Sequence, residues 1–243
     1  MRAALLSDVH GNRHAFEAVL DSIVEQGVDA IWCLGDLVGY GADPNACVAL
    51  ARERCSLVLA GNHDLAVTGD LSLEEFSRGA ALAAHWTQSV IDDEHLDFLR
   101  GLEPKGQAEG VGLYHASPRD PIWEYVLNSM LADLCLTAQP ERVSAVGHSH
   151  VALSFSRYQE AEASGTPREG GEVADLSEGE WLLNPGSVGQ PRDGDPRAAW
   201  MLLDTEAWIA TWLRVEYDIA GAAAAIRAAG LPGSLAERLE YGQ

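Results

Sequence analysis

Five apolar runs of this chain each end in a short polar motif, and this arrangement constrains the possible fold more than any other feature. The runs AALLS, AIWCLG, LVLAG, GVGLY and SAVG directly precede Asp8, Asp36, Asn62, His115 and His148. Short apolar runs of this kind predict buried strands, and open α/β sheets carry their ligands at the carboxyl ends of the strands. We therefore expect five loops to converge on one cleft.

The motifs DVH, GD, GNHD, HAS and GHSH supply carboxylate, amide and imidazole groups but no thiolate. This donor set suits catalytic divalent ions such as Mn, Fe, Zn, Co, Ni or Mg better than a structural zinc site. The candidate metal ligands are Asp8, His10, Asp36, Asn62, His115, His148 and His150.

Each motif taken alone has a plain structural interpretation. A single loop aspartate often caps a helix, a lone histidine is often a core residue, and GNHD is compatible with a turn. GHSH is more specific, because imidazoles two positions apart project from the same side of an extended segment and Gly147 permits close backbone approach. The five motifs in this order favour a metal site.

Charge and cysteine content narrow the class of protein. The 243 residues include 16 basic and 37 acidic side chains, a net charge of −21, which disfavours binding of nucleic acid through its phosphates. A small phosphorylated substrate remains compatible, because bound divalent ions create a local cationic site. The four cysteines form no CxxC pair, and no apolar stretch approaches a membrane span, so we expect a cytoplasmic protein that does not enter the membrane. The sequence leaves the oligomeric state open.

Strands alternate with helical patterns along the chain, which predicts a layered α/β fold. Apolar residues at helical spacing predict a helix over 13–26 with Asn12 as its N-cap. No linker is visible, so residues 1–243 are predicted to form a single domain. Within it the polar, glycine-rich segment 158–180 is expected to be a surface loop or hairpin insertion.

With these motifs in this order, the chain resembles the calcineurin-like metallophosphoesterase superfamily, and within it the small prokaryotic phosphodiesterase-like branch. The resemblance implies a four-layer α-β-β-α sandwich of two mixed β-sheets flanked by helices, with a dinuclear metal site at the strand ends. It further implies one metal held by Asp8, His10, Asp36 and His150, with Asp36 bridging, and a second metal completed by Asn62, His115 and His148. Ala116 is a departure, since many relatives have glycine after this histidine.

Two such metals predict phosphoester hydrolysis by in-line attack of a metal-bridging hydroxide. His63, next to Asn62, is the candidate general acid for the leaving group, and Asp64 is expected to orient its ring. The alternative is that His63 only contacts phosphate as a cation. Arg192 is a candidate phosphate contact, and Asn12 is a second substrate-binding candidate although its position also suits a helix cap.

The predicted function is hydrolysis of a phosphodiester, or of a phosphomonoester, of a small molecule such as a nucleotide. Two alternative functions are compatible with the same sequence. The same core is compatible with a dinucleoside-polyphosphate hydrolase or a protein phosphatase. A catalytically silent metal-binding scaffold is the alternative from a different class, although every expected ligand position is filled here.

Overall fold

A computed structural model describes residues 1–159 and 161–243 of the chain. Two six-stranded mixed sheets pack face to face. The first sheet contains β1 (Arg2–Leu6), β2 (Ala30–Cys33), β3 (Leu57–Val58), β9 (Val173–Asp175), β11 (Ala198–Asp204) and β12 (Ile209–Val215). The second contains β4 (Lys105–Ala108), β5 (Val111–Tyr114), β6 (Val143–Ala145), β7 (Ala152–Arg157), β8 (Ser164–Pro167) and β10 (Glu180–Pro185).

The strands that precede the polar motifs lie side by side within each sheet. The first sheet has the order β3-β2-β1-β11-β12-β9, and β1, β2 and β3 pair in parallel. The second has the order β4-β5-β6-β10-β7-β8, with β5, β6 and β10 in parallel. The remaining pairings are antiparallel. The carboxyl ends of the motif-bearing strands therefore reach one edge of the sandwich.

Successive side chains of β1 are buried on opposite faces of the first sheet. Ala3 and Leu5 belong to the core between the two sheets, whereas Ala4 and Leu6 face the helical layer. Both sets are fully buried, so this strand reads as a continuous apolar run rather than an alternating one. Trp212 crosses the inter-sheet core and donates its indole N–H to the Asn184 carbonyl at 2.9 Å, which satisfies its one polar group.

The described residues also form eight α-helices: α1 (Arg13–Gln26), α2 (Pro44–Arg54), α3 (Asn62–Thr68), α4 (Arg78–Val90), α5 (Asp93–Arg100), α6 (Ser129–Ala138), α7 (Ile219–Ala228) and α8 (Gly233–Tyr241). The predicted bounds and N-cap of α1 are confirmed. The Asn12 side chain accepts the Ala15 N–H at 3.1 Å, and Gly27 ends the helix in a left-handed conformation.

In the part of the chain that the structure describes, more helices cover the first sheet than the second. Helices α1, α2 and α5 cover the outer face of the first sheet, while α6 packs against the outer face of the second. Helices α4, α7 and α8 form a separate apolar cluster with Tyr40. The predicted four-layer α-β-β-α arrangement is confirmed. Among the described residues, no helix has the length and apolar character required to cross a membrane.

The segment 158–180, expected to be a surface loop or hairpin insertion, contains two short strands. Its strand β8 pairs with β7 in the second sheet, and its strand β9 pairs with β12 in the first. The segment therefore joins an edge of one sheet to an edge of the other instead of pairing with itself. Glu160, within this segment, lies outside the described residues.

Candidate metal centre

The seven predicted ligands meet in one buried cluster at the strand ends. Each side chain follows a strand of the central sheets, and none is more than 4% exposed. They are Asp8, His10, Asp36, Asn62, His115, His148 and His150. Such burial is unusual for carboxylates, which are seldom fully buried without a partner or a cation.

The backbone at these positions adopts a conformation that most side chains avoid. Five of the seven ligands have positive φ between 50° and 61°: Asp8, His10, Asp36, His148 and His150. A left-handed backbone outside glycine costs on the order of 1–3 kcal/mol and is concentrated at functional sites. The backbone of these strand-end loops is therefore strained, which lowers the stability of the fold. The same conformation directs the ligand side chains toward one another.

The first ligand group comprises Asp8, His10, Asp36 and His150, whose donor atoms all lie within 4.8 Å of one another. The His10 Nε2 atom is 3.4 Å from Asp36 Oδ2, and the His150 Nε2 atom is 3.6 Å from Asp8 Oδ1. The two Nε2 atoms are 3.1 Å apart. Two carboxylates and two imidazoles thus point at one small volume.

The second group comprises Asp36, His115 and His148. The His115 Nε2 atom is 3.6 Å from Asp36 Oδ2 and 3.2 Å from Asn62 Oδ1, so the Asn62 amide joins this group. Asp36 belongs to both groups. Its Oδ1 accepts the His63 backbone N–H at 2.9 Å, while its Oδ2 is buried and has no hydrogen-bond partner among the described residues.

The hydrogen bonds of the histidines show that the donor set fits cations. The Nδ1 atoms of His10, His115 and His150 lie 3.1, 2.9 and 2.6 Å from the backbone carbonyls of Val38, Leu34 and Gln190. A neutral imidazole has one N–H, and here it must be on Nδ1 to donate to the carbonyl, which leaves a lone pair on Nε2.

The Nε2 atoms of His10 and His150 therefore face each other at 3.1 Å without a proton between them. The same holds for His115 Nε2 and the Asn62 carbonyl oxygen at 3.2 Å. Lone pairs at these separations repel one another unless a cation lies between them. His148 Nε2 is likewise buried without a hydrogen-bond partner among the described residues. The residues of both groups therefore fit bound divalent cations, and Asp36 belongs to both groups.

Burial moves the pKa values of these groups in the direction of their neutral forms. It raises the pKa of Asp8 to about 7 and that of Asp36 well above its ordinary value, with the neighbouring Asp64 charge adding to the effect at Asp36. It lowers the pKa values of His10, His148 and His150. Neutral imidazoles are the metal-binding form, and a bound cation favours the ionised carboxylates.

Asp64 has a different role from the predicted one. Its Oδ2 accepts the backbone N–H groups of Asp36 and Gly61 at 2.8 and 2.9 Å, and its Oδ1 accepts that of Val38 at 3.2 Å. The His63 Nδ1 atom has no hydrogen-bond partner among the described residues. The expectation that Asp64 orients the His63 ring is therefore wrong for this structure, because its carboxylate is fully used in fixing the backbone that carries Asp36.

His63 itself lies beside the first ligand group. Its ring packs edge-on against His10, with 4.8 Å between ring centroids, and is 4.4 Å from the Tyr40 ring. Burial, together with the charge of Arg192, lowers the pKa of His63 to about 3, so the ring is neutral at pH 7 in the absence of ligands. An anionic partner would be needed to favour the protonated form of the ring.

Asn12 and Arg192, the two substrate-binding candidates, differ in whether their polar groups are used within the protein. Both polar atoms of Asn12 are used within the protein: Oδ1 caps α1, and Nδ2 donates to the Gly189 carbonyl at 2.9 Å. Asn12 is therefore a structural residue, which corrects its prediction as a substrate contact. Arg192 lies at the site, where Gln190 Oε1 accepts its Nη2–H at 2.9 Å and its guanidinium carbon is 5.6 Å from the Tyr40 ring centre. Arg197 instead forms a bidentate pair with Asp195 at the surface.

Sequence reasoning missed the supporting role of the segment 184–193. Ser187 Oγ donates to the Asp8 carbonyl at 2.9 Å, and the Gln190 carbonyl accepts from His150 Nδ1. The Asn184 amide donates to the Gly147 carbonyl at 2.8 Å. This segment holds the first and last ligand loops together. Its turn-forming composition, NPGSVGQPRD, signals a loop but carries no information about those distant contacts.

Aromatic residues also surround the site. Tyr40 has a positive φ of 56°, and its ring centroid lies 4.6 Å from that of His10, with 57° between the ring planes. Phe76 is 5.1 Å from His63 and 5.2 Å from Trp123, and Tyr125 lies over His148 at 4.0 Å. The only sequence signals were the aromatic residue types themselves, in loops that lack regular structure.

Comparison with known proteins agrees with this geometry. A family model described as the calcineurin-like phosphoesterase superfamily domain matches residues 1–207. The crystal structure of a metallophosphoesterase from Sphaerobacter thermophilus superimposes with a TM-score of 0.90 at 43% identity, covering 100% of this chain and 99% of that one. An uncharacterized protein of Methanocaldococcus jannaschii is 40% identical over 99% of this chain and 98% of its own length. A hypothetical protein from Pyrococcus horikoshii shares the fold, with a TM-score of 0.80 at 18% identity and coverage of 100% and 98%.

Proposed function

The chain belongs to the calcineurin-like phosphoesterase superfamily, and we propose that it hydrolyses a phosphodiester or phosphomonoester of a small molecule by using two divalent cations, with manganese as the first candidate. The observation that carries this proposal is the convergence of unprotonated imidazole nitrogens and carboxylate oxygens on two volumes that share Asp36. The facing lone pairs of these groups repel one another unless cations lie between them. The four cysteines are unpaired, which supports the expected cytoplasmic location.

Two divalent cations held in such a site would lower the pKa of a bound water to near neutrality and would neutralise charge on phosphate oxygens. The first ion would be held by Asp8, His10, Asp36 and His150, and the second by Asp36, Asn62, His115 and His148. No serine or cysteine nucleophile is then required. The proposed reaction forms one bond from a water oxygen to phosphorus and breaks the bond from phosphorus to the leaving oxygen on the opposite side.

The protein's own side chains bind the ester and deliver the proton. Arg192, held by Gln190, presents a guanidinium to an anionic phosphoryl group. His63 is the proposed proton donor to the leaving oxygen. Its pKa of about 3 rises when an anionic ester binds beside it, because nearby negative charge favours the imidazolium. Asp64 contributes indirectly, since it fixes the loop that carries Asp36.

The first test is hydrolysis of bis(p-nitrophenyl) phosphate and p-nitrophenyl phosphate by protein loaded with manganese, with and without a chelator. We expect turnover that depends on metal and is abolished in His150→Ala. The control His85→Ala changes an exposed residue of α4 and should behave as the wild type. Lack of turnover with any divalent metal and any ester would refute the proposal and favour the scaffold alternative.

The role of His63 requires a second comparison. We expect His63→Ala to lose far more activity on an alkyl ester, whose leaving group needs a proton, than on a nitrophenyl ester, whose leaving group does not. General acid catalysis contributes about 10²–10⁴-fold in rate, which sets the size of the selective loss. Equal losses on both esters would exclude the proton-donor role and favour a phosphate contact.

A further inference from the structure

Two loops place aromatic rings at the rim of the metal centre. One loop, between α3 and α4, carries Phe76, and the other, between β5 and α6, carries Trp123 and Tyr125. We call these three residues the aromatic rim. They come from distant parts of the chain, yet each ring belongs to a set of ring contacts that begins at a site histidine.

The rim is continuous with the reacting groups. The Phe76 ring packs edge-on against His63 at 5.1 Å, and the Trp123 ring packs against Phe76 at 5.2 Å. On the other side, the Tyr125 ring lies 4.0 Å from that of the ligand His148, with 31° between the ring planes. Rings therefore extend outward from both the proposed proton donor and the second metal group.

These three rings are only partly buried, and one of them, Phe76, also packs against the apolar cluster of α4, α7 and α8. Tyr125 is 45% exposed, and Phe76 and Trp123 are each half-buried. Exposed aromatic surface costs hydration free energy, and where it adjoins a site it marks a binding surface. Tyr125 and Trp123 also lie in the stretch between His115 and α6, so their positions depend on a loop rather than on sheet packing.

We propose that the aromatic rim binds the base of a nucleoside phosphoester, so that the substrates of this site are small nucleotides. This inference rests on the proposed function. A leaving group that departs beside His63 meets Phe76 and Trp123 next, and a flat base offers the face that stacks on such rings. Arg192 supplies the cation for the phosphate, while the net charge of −21 disfavours a polymeric nucleic acid.

Activity on matched esters provides the first arm of the test. Adenosine 5′-monophosphate is compared with ribose 5-phosphate, and the methyl diesters of both compounds are compared in the same way, in protein loaded with manganese. Stacking of one base corresponds to about 10- to 100-fold in affinity. We expect kcat/KM to favour the adenosine esters by that factor in the wild type, and the preference to disappear in Trp123→Leu.

Trp86→Leu is the matched control, since this half-buried tryptophan of α4 lies outside the rim and should retain the preference. Tyr125→Leu is the second variant, because a residue that is 45% exposed can be replaced with little effect on folding. A wild type that hydrolyses ribose and adenosine esters equally well would overturn the base-binding proposal and leave the phosphoesterase function intact.

Binding provides the second arm and does not depend on turnover. The probe is 2-aminopurine riboside, whose fluorescence is quenched when the base stacks on an aromatic ring. We expect saturable quenching in the wild type and in Trp86→Leu, and at least a tenfold weaker response in Trp123→Leu. Absence of saturable quenching in the wild type would refute the rim as a base site. Quenching without hydrolysis of any ester would instead refute the proposed function and retain the rim.

Discussion

Asp64→Ala tests whether Asp64 supports the loop that carries Asp36, as its hydrogen bonds indicate, or orients the His63 ring, as expected from the sequence. The carboxylate is fully buried, and its oxygens accept the backbone N–H groups of Asp36, Gly61 and Val38 at 2.8, 2.9 and 3.2 Å. Removal of the side chain leaves all three donors buried without an acceptor. Each such donor costs about 1–3 kcal/mol, so the direct loss is about 6 kcal/mol.

A second effect opposes this loss at neutral pH. Burial raises the pKa of Asp64 to about 6 from its ordinary 3.8, which means that keeping it ionised above pH 6 costs the folded state about 3 kcal/mol. Asp64→Ala has no carboxylate at this position, so its folded state does not incur that cost. We therefore expect Asp64→Ala to lower the free energy of unfolding by about 3 kcal/mol at pH 7.5.

The pH dependence has a definite sign. A carboxyl group whose pKa is raised on folding stabilises the folded state as pH falls through that value, and the variant lacks this gain. The deficit of Asp64→Ala relative to the wild type should therefore grow from about 3 to about 6 kcal/mol between pH 7.5 and pH 4. Urea unfolding of metal-free protein at both pH values measures it. Asp97→Asn, an exposed residue of α5, is the control.

Activity measurements distinguish between support of the Asp36 loop and orientation of the His63 ring as the role of Asp64. If Asp64 fixes the Asp36 loop, residual activity of the variant should fall equally on alkyl and nitrophenyl esters, together with metal content. A loss confined to the alkyl ester would mean that Asp64 acts through His63, and the assignment from the hydrogen bonds would be refuted. Asp64→Asn retains one acceptor oxygen, so it should be the more stable of the two variants and serves if Asp64→Ala does not fold.

Four further predictions concern the same site. Asp36→Asn removes the carboxylate shared by both groups, so metal bound after gel filtration should fall to background by elemental analysis; wild-type metal content would contradict a shared ligand. Gly61→Ala places a methyl group against the Asp36 carboxylate and should destabilise the protein by about 1–3 kcal/mol in urea, while Gly233→Ala, with open space around it, should not. In Arg192→Lys the KM for a phosphomonoester should rise about tenfold, because the fork held by Gln190 is lost, whereas Arg197→Lys at the surface should keep the wild-type KM. Because burial lowers the pKa of His63 to about 3, metal-free His63→Gln should gain about 2 kcal/mol relative to the wild type between pH 7.5 and pH 5; a difference that stays constant with pH would contradict this.

The ligand set could be predicted from the sequence because each ligand follows the end of a strand by no more than five residues. The local pattern of an apolar run followed by a polar motif defines both the strand and the edge at which its ligand emerges. The helix over 13–26 was predictable for a similar reason, since its apolar period and its cap at Asn12 are contained in one short segment.

Contacts between residues that are far apart in sequence could be identified only from the tertiary structure. Asp64 lies next to His63 in the chain, yet its oxygens bind amides 26 and 28 residues away, and the Ser187 hydroxyl binds the Asp8 carbonyl across 179 residues. The pairing of β8 and β9 with different sheets and the meeting of Phe76 with Trp123 depend on how the layers pack.

The sequence by itself determined the chemistry of the cluster, because donor types and strand-end positions are local properties of the chain. Only the tertiary structure decided which side chains hold the ligand loops and which rings surround them. Those choices are made by packing between distant segments, where hydrogen-bond satisfaction and the burial of apolar surface in the whole fold outweigh any local preference.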